Sequence, residues 1–286
     1  MELESRIAVI IIVFEPSSSE LENIRHVSSL YKGVIVDNSS TSNFTAKSVN
    51  KMRYVALGEN VGIAKAQNIG IEYVLRDESV DYVFYFDQDS VFCDDYPLKM
   101  VREYECIKAH GINIAALGPT VVQKETGETY KSVIHKDRKI NSHFIQRKEV
   151  IASGCCFRTA VFKDVGVNDA SLFIDFVDCE WCWRAYSKGY VCGITPNVTI
   201  YHKVGRKEMH IGRHIIIVSA PFRYYYQYRN YMVLLRRRYV PLQWKVNKGV
   251  KFFLRYIYFP FVVEDGVKCW KYMSKGLLAG IKAVFK

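Results

Sequence analysis

With 286 residues, 49% hydrophobic and 24% charged, the chain has a globular composition, enough for one large domain with an appendage or two small ones. No apolar run reaches the roughly 18 residues that cross a bilayer; Met1–Arg6 is acidic, without the basic flank of a signal peptide. The eight cysteines follow no disulfide-framework spacing, so the expected location is the cytoplasm or the inner face of the cell membrane.

Charge is spread unevenly. Residues 223–286 hold 14 Lys and Arg against Glu264 and Asp265, a net of +12, and 16 of the 40 aromatics; the remaining residues sum to −1. This split predicts a near-neutral body and a basic, aromatic arm that meets something anionic.

The apolar run Ile7–Phe14 reads as a strand buried on both faces. A helix near Ser19–Leu30 and a short strand Gly33–Asp37 follow, the latter ending in Asp37-Asn-Ser-Ser. Leu57–Gly70 carries Asn60-Val-Gly62 into a helix that starts near Ile63 and runs to about Asp77. The strand Tyr82–Asp87 ends in Asp87-Gln88-Asp89. Strand and helix thus alternate, which predicts an α/β fold with a mostly parallel sheet whose ligands bind at the carboxyl ends of the strands. After a helix at about 94–109, residues 113–152 alternate around turn signals at Gly127 and Asn141-Ser142 and read as less regular, partly antiparallel structure. Ser153-Gly154 precedes a short helix near 159–165; Asp175-Phe-Val-Asp178 leads into a helix over about 179–188 that Gly189 stops; strand 197–203 carries His202.

Two carboxylates one residue apart at the end of a buried strand are costly unless a cation or ligand meets them. Hard divalent ions such as Mg²⁺ or Mn²⁺ bridge such carboxylates to phosphates, so Asp87 and Asp89 are candidate metal ligands. Taken alone, Asp37 reads first as an Asx-turn, with a second reading as acceptor for a pyrimidine N–H. Gly62 is either a loop glycine or a site of close anion approach at a helix start. Asp175, Asp178 and Glu180, backed by Trp181 and Arg184, exceed what helix capping requires, and a carboxylate among them could act as general base. His202 alone reads as a satisfied polar residue. The Cys179-Glu-Trp-Cys182 spacing lacks a second pair and argues against zinc.

Together these motifs resemble glycosyltransferase family 2, inverting enzymes of the GT-A fold, and within it the bacterial rhamnosyltransferases. The resemblance covers about residues 6–240 through Val36–Ser40, Glu59–Ala66 with Asn68, Asp87-Gln-Asp89, Ser153-Gly154, Phe173–Trp181 with Arg184, Tyr201-His202 and Tyr224–Asn230. It implies a GT-A catalytic domain over 1–220, with a nucleotide-sugar half to about 110 and an acceptor half after it, and a helical region over 221–286. The nucleotide-sugar site would include Asp37, Asn60, Gly62, Ala66, Asp87 and Gln88. Ser153, Gly154, Glu180, Trp181 and Arg184 would line the sugar and acceptor pocket. Asp89, Asp87 and His202 would hold the Mg²⁺ or Mn²⁺. Asp178 matches the catalytic base; because Val177 replaces the family's usual Glu, Asp175 is the second candidate. The implied reaction is inverting transfer of L-rhamnose from dTDP-β-L-rhamnose to a glycan, expected on a polyprenyl-diphosphate carrier, in cell-surface polysaccharide (O-antigen) synthesis. A UDP-hexose or UDP-galactofuranose is the alternative donor; a nucleotidyltransferase or a non-enzymatic membrane-binding module is the reading outside the family.

The tail adds a partner. Over 267–286, Lys268, Lys271, Lys275, Lys282 and Lys286 share one arc of a predicted helix, beside Trp270, Met273, Leu277, Ile281 and Val284. A basic, aromatic helix of this kind suits an anionic membrane interface. A helix packed on the body or in a homodimer is the alternative, and the near-neutral body argues against nucleic acid.

Overall fold

The computed structural model describes residues 2–123, 137–202, 207–211 and 214–284, with backbone alone at 2, 123, 201, 202, 207–211, 214–217 and 284. The turn expected at Gly127 and the lysine at 286 lie outside the described residues. The chain divides into two compact units: residues 1–173 with 177–202, and residues 203–286 with the excursion 174–176.

In the first unit a single helical turn, α1 (Glu2–Ser5), precedes β1 (Ile7–Val13), whose seven residues are all buried. Helix α2 (Ser18–Leu30) opens with a capping box, in which the Ser17 hydroxyl accepts from the Glu20 amide and the Glu20 carboxylate accepts from the Ser17 amide. Then come β2 (Lys32–Asp37), β3 (Ser48–Val49), β4 (Met52–Ala56), α3 (Ile63–Val74), β5 (Tyr82–Asp87), α4 (Tyr96–Ala109) and β6 (Ile114–Gln123). The remainder is β7 (Arg138–Lys139), β8 (Ile145–Arg147), β9 (Cys156–Arg158), α5 (Thr159–Val165), a 3₁₀ turn at Ala170–Leu172, α6 (Val177–Ser187) and β10 (Val191–His202).

These strands form one ten-stranded sheet in the order β3-β4-β2-β1-β5-β9-β6-β10-β8-β7. Its strands β4, β2, β1 and β5 are parallel, as are β6 and β10, whereas β9 runs antiparallel between β5 and β6. Alternation along β1 divides the core between the two faces. Ala8, Ile10 and Ile12 pack with α3, α5 and α6; Ile7, Val9, Ile11 and Val13 pack with α2 and α4. The result is the α/β, GT-A-type layering expected from the alternating elements, with a sheet more mixed than the repeat of apolar strands suggested.

The second unit contains a hairpin, β11 (Lys207–Ile211) with β12 (His214–Val218), and three helices, α7 (Pro221–Leu235), α8 (Leu242–Val262) and α9 (Gly266–Val284). Its core gathers Tyr224, Tyr228, Phe252, Phe259, Cys269 and Met273. Small residues let α9 lie close on α7: a Cβ at Gly276 would come within 2.3 Å of the Tyr225 carbonyl, and one at Gly280 within 2.6 Å of Met232. Thus Met273, expected on an open apolar face, is a core residue.

Candidate active site

The parallel strands bring the predicted carboxylates to one edge. Val13 is in register with Asp37 and Ile12 with Asp87, so Asp37 and Asp87 end the two strands flanking β1 at nearly the same level. This is the carboxyl edge where parallel sheets bind ligands.

Asp37 is fully buried. One carboxylate oxygen accepts from the Ser39 amide at 3.0 Å; the other accepts from the Asn43 amide at 3.1 Å, the Asn43 side chain at 2.8 Å and the Tyr54 hydroxyl. These bonds hold it below its ordinary acidity range despite burial, which pulls the other way more strongly than any single bond. The residue therefore anchors its own loop, the Asx-turn reading. Asn38, next along, was not singled out from the sequence. It donates to the Asn60 side chain at 2.9 Å and accepts from the Val61 amide at 2.8 Å, while Asn60 also accepts from the Gly62 amide. Asn60 thus fixes the loop that opens α3.

Gly62 has φ 84°, and a Cβ there would meet the Phe173 ring at 2.5 Å, so dihedral and packing already require the glycine. Ala66 is completely buried in the core between α3 and the sheet and cannot touch a ligand. Asn68 acts as a latch, exchanging hydrogen bonds with the Asn168 backbone at 2.8 and 2.9 Å.

Around Asp87 the chain is stapled. The Ser153 hydroxyl accepts from the Asp87 amide at 3.1 Å and lies 3.0 Å from the Ser90 hydroxyl. The Gly154 amide donates to the Tyr85 carbonyl at 2.8 Å, and its own carbonyl accepts from the Tyr96 hydroxyl. With φ 79° at Gly154, Ser153-Gly154 is the turn that holds the end of β5. Gln88 accepts from the Phe14 amide at 2.7 Å, tying β5 to the end of β1. Asp87 and Asp89 are both exposed at this end. Among the described residues no three His, Cys, Asp or Glu side chains form a ready-made metal cage. Two exposed carboxylates nevertheless fit a hard divalent ion, which commonly takes one or two protein carboxylates and completes its shell with phosphate and water. The backbone of β10 reaches His202, in register with Gln123, but its side chain lies outside the described residues.

Asp178, in the first turn of α6, comes to the same place. Its carboxylate accepts from the Ala152 amide at 3.3 Å, beside the Ser153 turn. Protein closely surrounds the carboxyl group, yet part of the residue stays accessible. Burial is the main influence raising its pKa to about 6; the Ala152 amide opposes this, and the nearby charge of Asp87 adds to it. Below lies a small cavity of about 10 Å³, lined by Tyr85, Asn168, Asp178 and Trp181 among others. The buried Tyr85 hydroxyl has no hydrogen-bond partner among the described residues. Strand alternation could have singled it out, since Tyr85 shares a face with Asp87 two residues on.

The other acidic residues of this segment have different work. Arg223 grips the Asp175 carboxylate with two bonds, of 2.7 and 3.3 Å, and the Asn230 side chain donates to the Ile174 and Asp175 carbonyls; all of these belong to the second unit. The bidentate guanidinium fork makes Asp175 an anchor of this segment. Glu180 is buried and pairs with Arg184, which also donates to the Val165 and Val167 carbonyls. Trp181 is buried on Phe157 and Phe162 and donates to the Gly166 carbonyl at 2.8 Å. Glu180, Trp181 and Arg184 thus brace α6 on α5 and the following loop, and Trp181 also lines the small cavity beside Asp178.

A sequence profile of Glycosyl transferase family 2 matches residues 9–166. The chain is 30% identical over 299 aligned residues to the dTDP-rhamnosyl transferase RfbF of Shigella flexneri, covering 99% of this chain and 96% of that one. Among solved structures, S. aureus TarS in complex with UDP-GlcNAc superposes with a TM-score of 0.55 at 14% identity, covering 98% of this chain and 82% of that one. GalNAc-T7 with UDP, GalNAc and Mn²⁺ gives 0.55 at 13%, covering 98% and 56%. These two similarities speak to the fold, which is that of GT-A glycosyltransferases. The carboxylates gathered at the sheet edge therefore sit in a glycosyltransferase, and the chain belongs to glycosyltransferase family 2.

Proposed function

We propose that this enzyme transfers L-rhamnose from dTDP-β-L-rhamnose, with inversion, to a hydroxyl of a glycan carried on a polyprenyl diphosphate, in the assembly of a cell-surface polysaccharide. The donor rests on similarity to a dTDP-rhamnosyl transferase along nearly the whole chain. The observation that carries the mechanism is Asp178: a partly accessible residue whose closely surrounded carboxyl group, with its pKa raised to about 6, lies on the sheet edge beside Asp87. A base of that strength is mostly ionised at neutral pH and still accepts a proton readily.

In this reading the nucleotide lies along the ends of β1, β2 and β5. Asp37 holds the 38–43 loop in shape for the base, and Asn38 and Asn60 hold the start of α3. Asp87, Asp89 and His202 would hold a divalent cation, whose contribution when bound is to neutralise the charge developing on the diphosphate. Ser153 positions Asp87 through its amide. Asp178, steadied by the Ala152 amide, takes the acceptor hydroxyl's proton while that oxygen attacks the anomeric carbon opposite the leaving diphosphate. A single displacement converts the β-linked donor into an α-L-rhamnoside. The basic second unit meets the anionic membrane surface where a lipid-linked acceptor resides.

A thermal-shift panel of nucleotide sugars with Mn²⁺ or Mg²⁺ tests the donor, because a ligand that binds only the folded state adds about 2.7 kcal/mol at a hundred times its Kd. The expected result is the largest shift with dTDP-rhamnose. A larger shift with a UDP-hexose or UDP-galactofuranose would reassign the donor.

A further inference from the structure

Helix α8 is apolar on two opposite sides. Trp244, Phe252 and Phe259 are buried in the core of the second unit. On the other side Leu242, Val246, Val250, Phe253, Ile257 and Phe261 are exposed, with Leu242 at 74%, Phe253 at 66% and Phe261 at 86%. At the α-helical turn per residue these six fall within an arc of about 100°. A helix apolar all round is normally covered on every side, and a contiguous patch of this kind marks an interaction surface.

The surroundings identify what covers it. No acidic residue occurs in α8, and Lys245, Lys248, Lys251 and Arg255 lie within its 21 residues. Four cations in mid-helix are incompatible with crossing a bilayer, and no helix among the described residues is long and apolar enough to do so. The same pattern suits a helix lying in the plane of a membrane interface with its apolar stripe inserted; Lys251 is exposed to meet headgroups, whereas Lys245, Lys248 and Arg255 turn to the unit's own core, on the Arg237 carbonyl, the Phe176 and Phe252 rings and Gln227. A second copy is a poorer match, since pairing this face would bring together two surfaces from a segment of net charge +12.

We propose that the Leu242–Phe261 stripe of α8 is the face that seats this protein in an anionic lipid bilayer. The proposal rests on the membrane reading above and deepens it. Sequence periodicity alone pointed to α9, but Met273 of its apolar set is buried against α7 and α8, whereas the α8 stripe is exposed among the described residues. Insertion supplies the apolar part of binding, and the exposed Lys251 of α8 with Lys268, Lys271 and Lys275 of α9 supplies the electrostatic part.

Sedimentation of the full-length protein with vesicles of phosphatidylcholine, with and without phosphatidylglycerol, tests this. The comparison uses Phe253→Ser/Phe261→Ser on α8 and Lys271→Glu/Lys275→Glu on α9, with hydrolysis of soluble donor and thermal melting as controls for the fold. The expected result is binding to the anionic vesicles, reduced at least about tenfold by the α8 pair, with donor hydrolysis unchanged. If the α8 pair binds as well as wild type while the α9 pair is released, the stripe is not the insertion face and the wider membrane reading survives. If wild type ignores both vesicle types, the lipid assignment is overturned; a dimer that the α8 pair dissociates would identify the occupant as a second copy.

Discussion

Asp178 and Asp175 lie three residues apart on the chain and serve opposite ends. Arg223 claims Asp175, while Asp178 sits where burial and Asp87 make its proton harder to lose. Burial of Asp178 has a measurable cost. Its folded pKa of about 6 stands above the ordinary 3.8, so between these values the folded state holds more proton than the unfolded one and stability falls as pH rises. Above pH 6 the cost is fully present, up to about 3 kcal/mol at roughly 1.4 kcal/mol per unit. Asp178→Asn, which keeps an oxygen for the Ala152 amide, should therefore melt higher than wild type at pH 7.5 and level with it at pH 3.5; an equal or lower melting point at pH 7.5 would refute the burial cost. Asp89 gives a second expectation. Asp89→Ala should abolish Mn²⁺-dependent binding of dTDP in isothermal titration, because the diphosphate then faces an acidic strand end with one cation ligand fewer; unchanged metal-dependent affinity would remove Asp89 from the site. Both aspartates were visible in the sequence because strand ends and helix starts are local. Asp37 was visible too, but its engagement with Asn43 and Tyr54 was not, since hydrogen-bond saturation depends on side-chain geometry that spacing does not encode.

At the scale of elements, the helices over 18–30, 63–74 and 96–109 and the strands over 7–13 and 82–87 follow from periodicity, capping and unbroken apolar runs. The insertion of β9 between β5 and β6 does not, because its three residues carry no period and its partners lie far away in sequence. The most informative element is irregular. Phe173, Asp175 and Phe176 have φ of 64°, 66° and 66°, where non-glycine residues are strained by about 1–3 kcal/mol each. The second unit holds 174–176 through Arg223, Asn230 and the packing of Phe176 on Trp244 and Phe252. No reading of 173–181 alone could have found this, since the partners stand about fifty or more residues away. Arg223→Ala should free the segment that leads directly into Asp178. Faster backbone amide exchange at 174–178 and a several-fold fall in kcat are expected, with donor Kd unchanged; unaltered exchange would show that the fork does not order the segment.

For the whole molecule, the charge split seen in the composition corresponds to a second unit that is basic throughout its helices but also has a core of its own. Tyr224 and Tyr228 are buried against α8 and α9, so deleting the last two helices would strip that core, and surface substitution is the sounder probe of membrane attachment. Salt should weaken attachment without abolishing it, because screening acts on the lysines and leaves the apolar stripe untouched; complete release from anionic vesicles at 1 M salt, where the screening length falls to about 3 Å, would exclude the stripe from binding. The proposed mechanism makes catalysis depend on one carboxylate at the sheet edge, and the most direct measurement is transfer by Asp178→Asn from dTDP-rhamnose, with donor affinity measured on the same preparation. A general base contributes typically about 10²–10⁴-fold, so kcat should fall by that factor while donor Kd is unchanged. Turnover within a few-fold of wild type would contradict the assignment of Asp178 as the base.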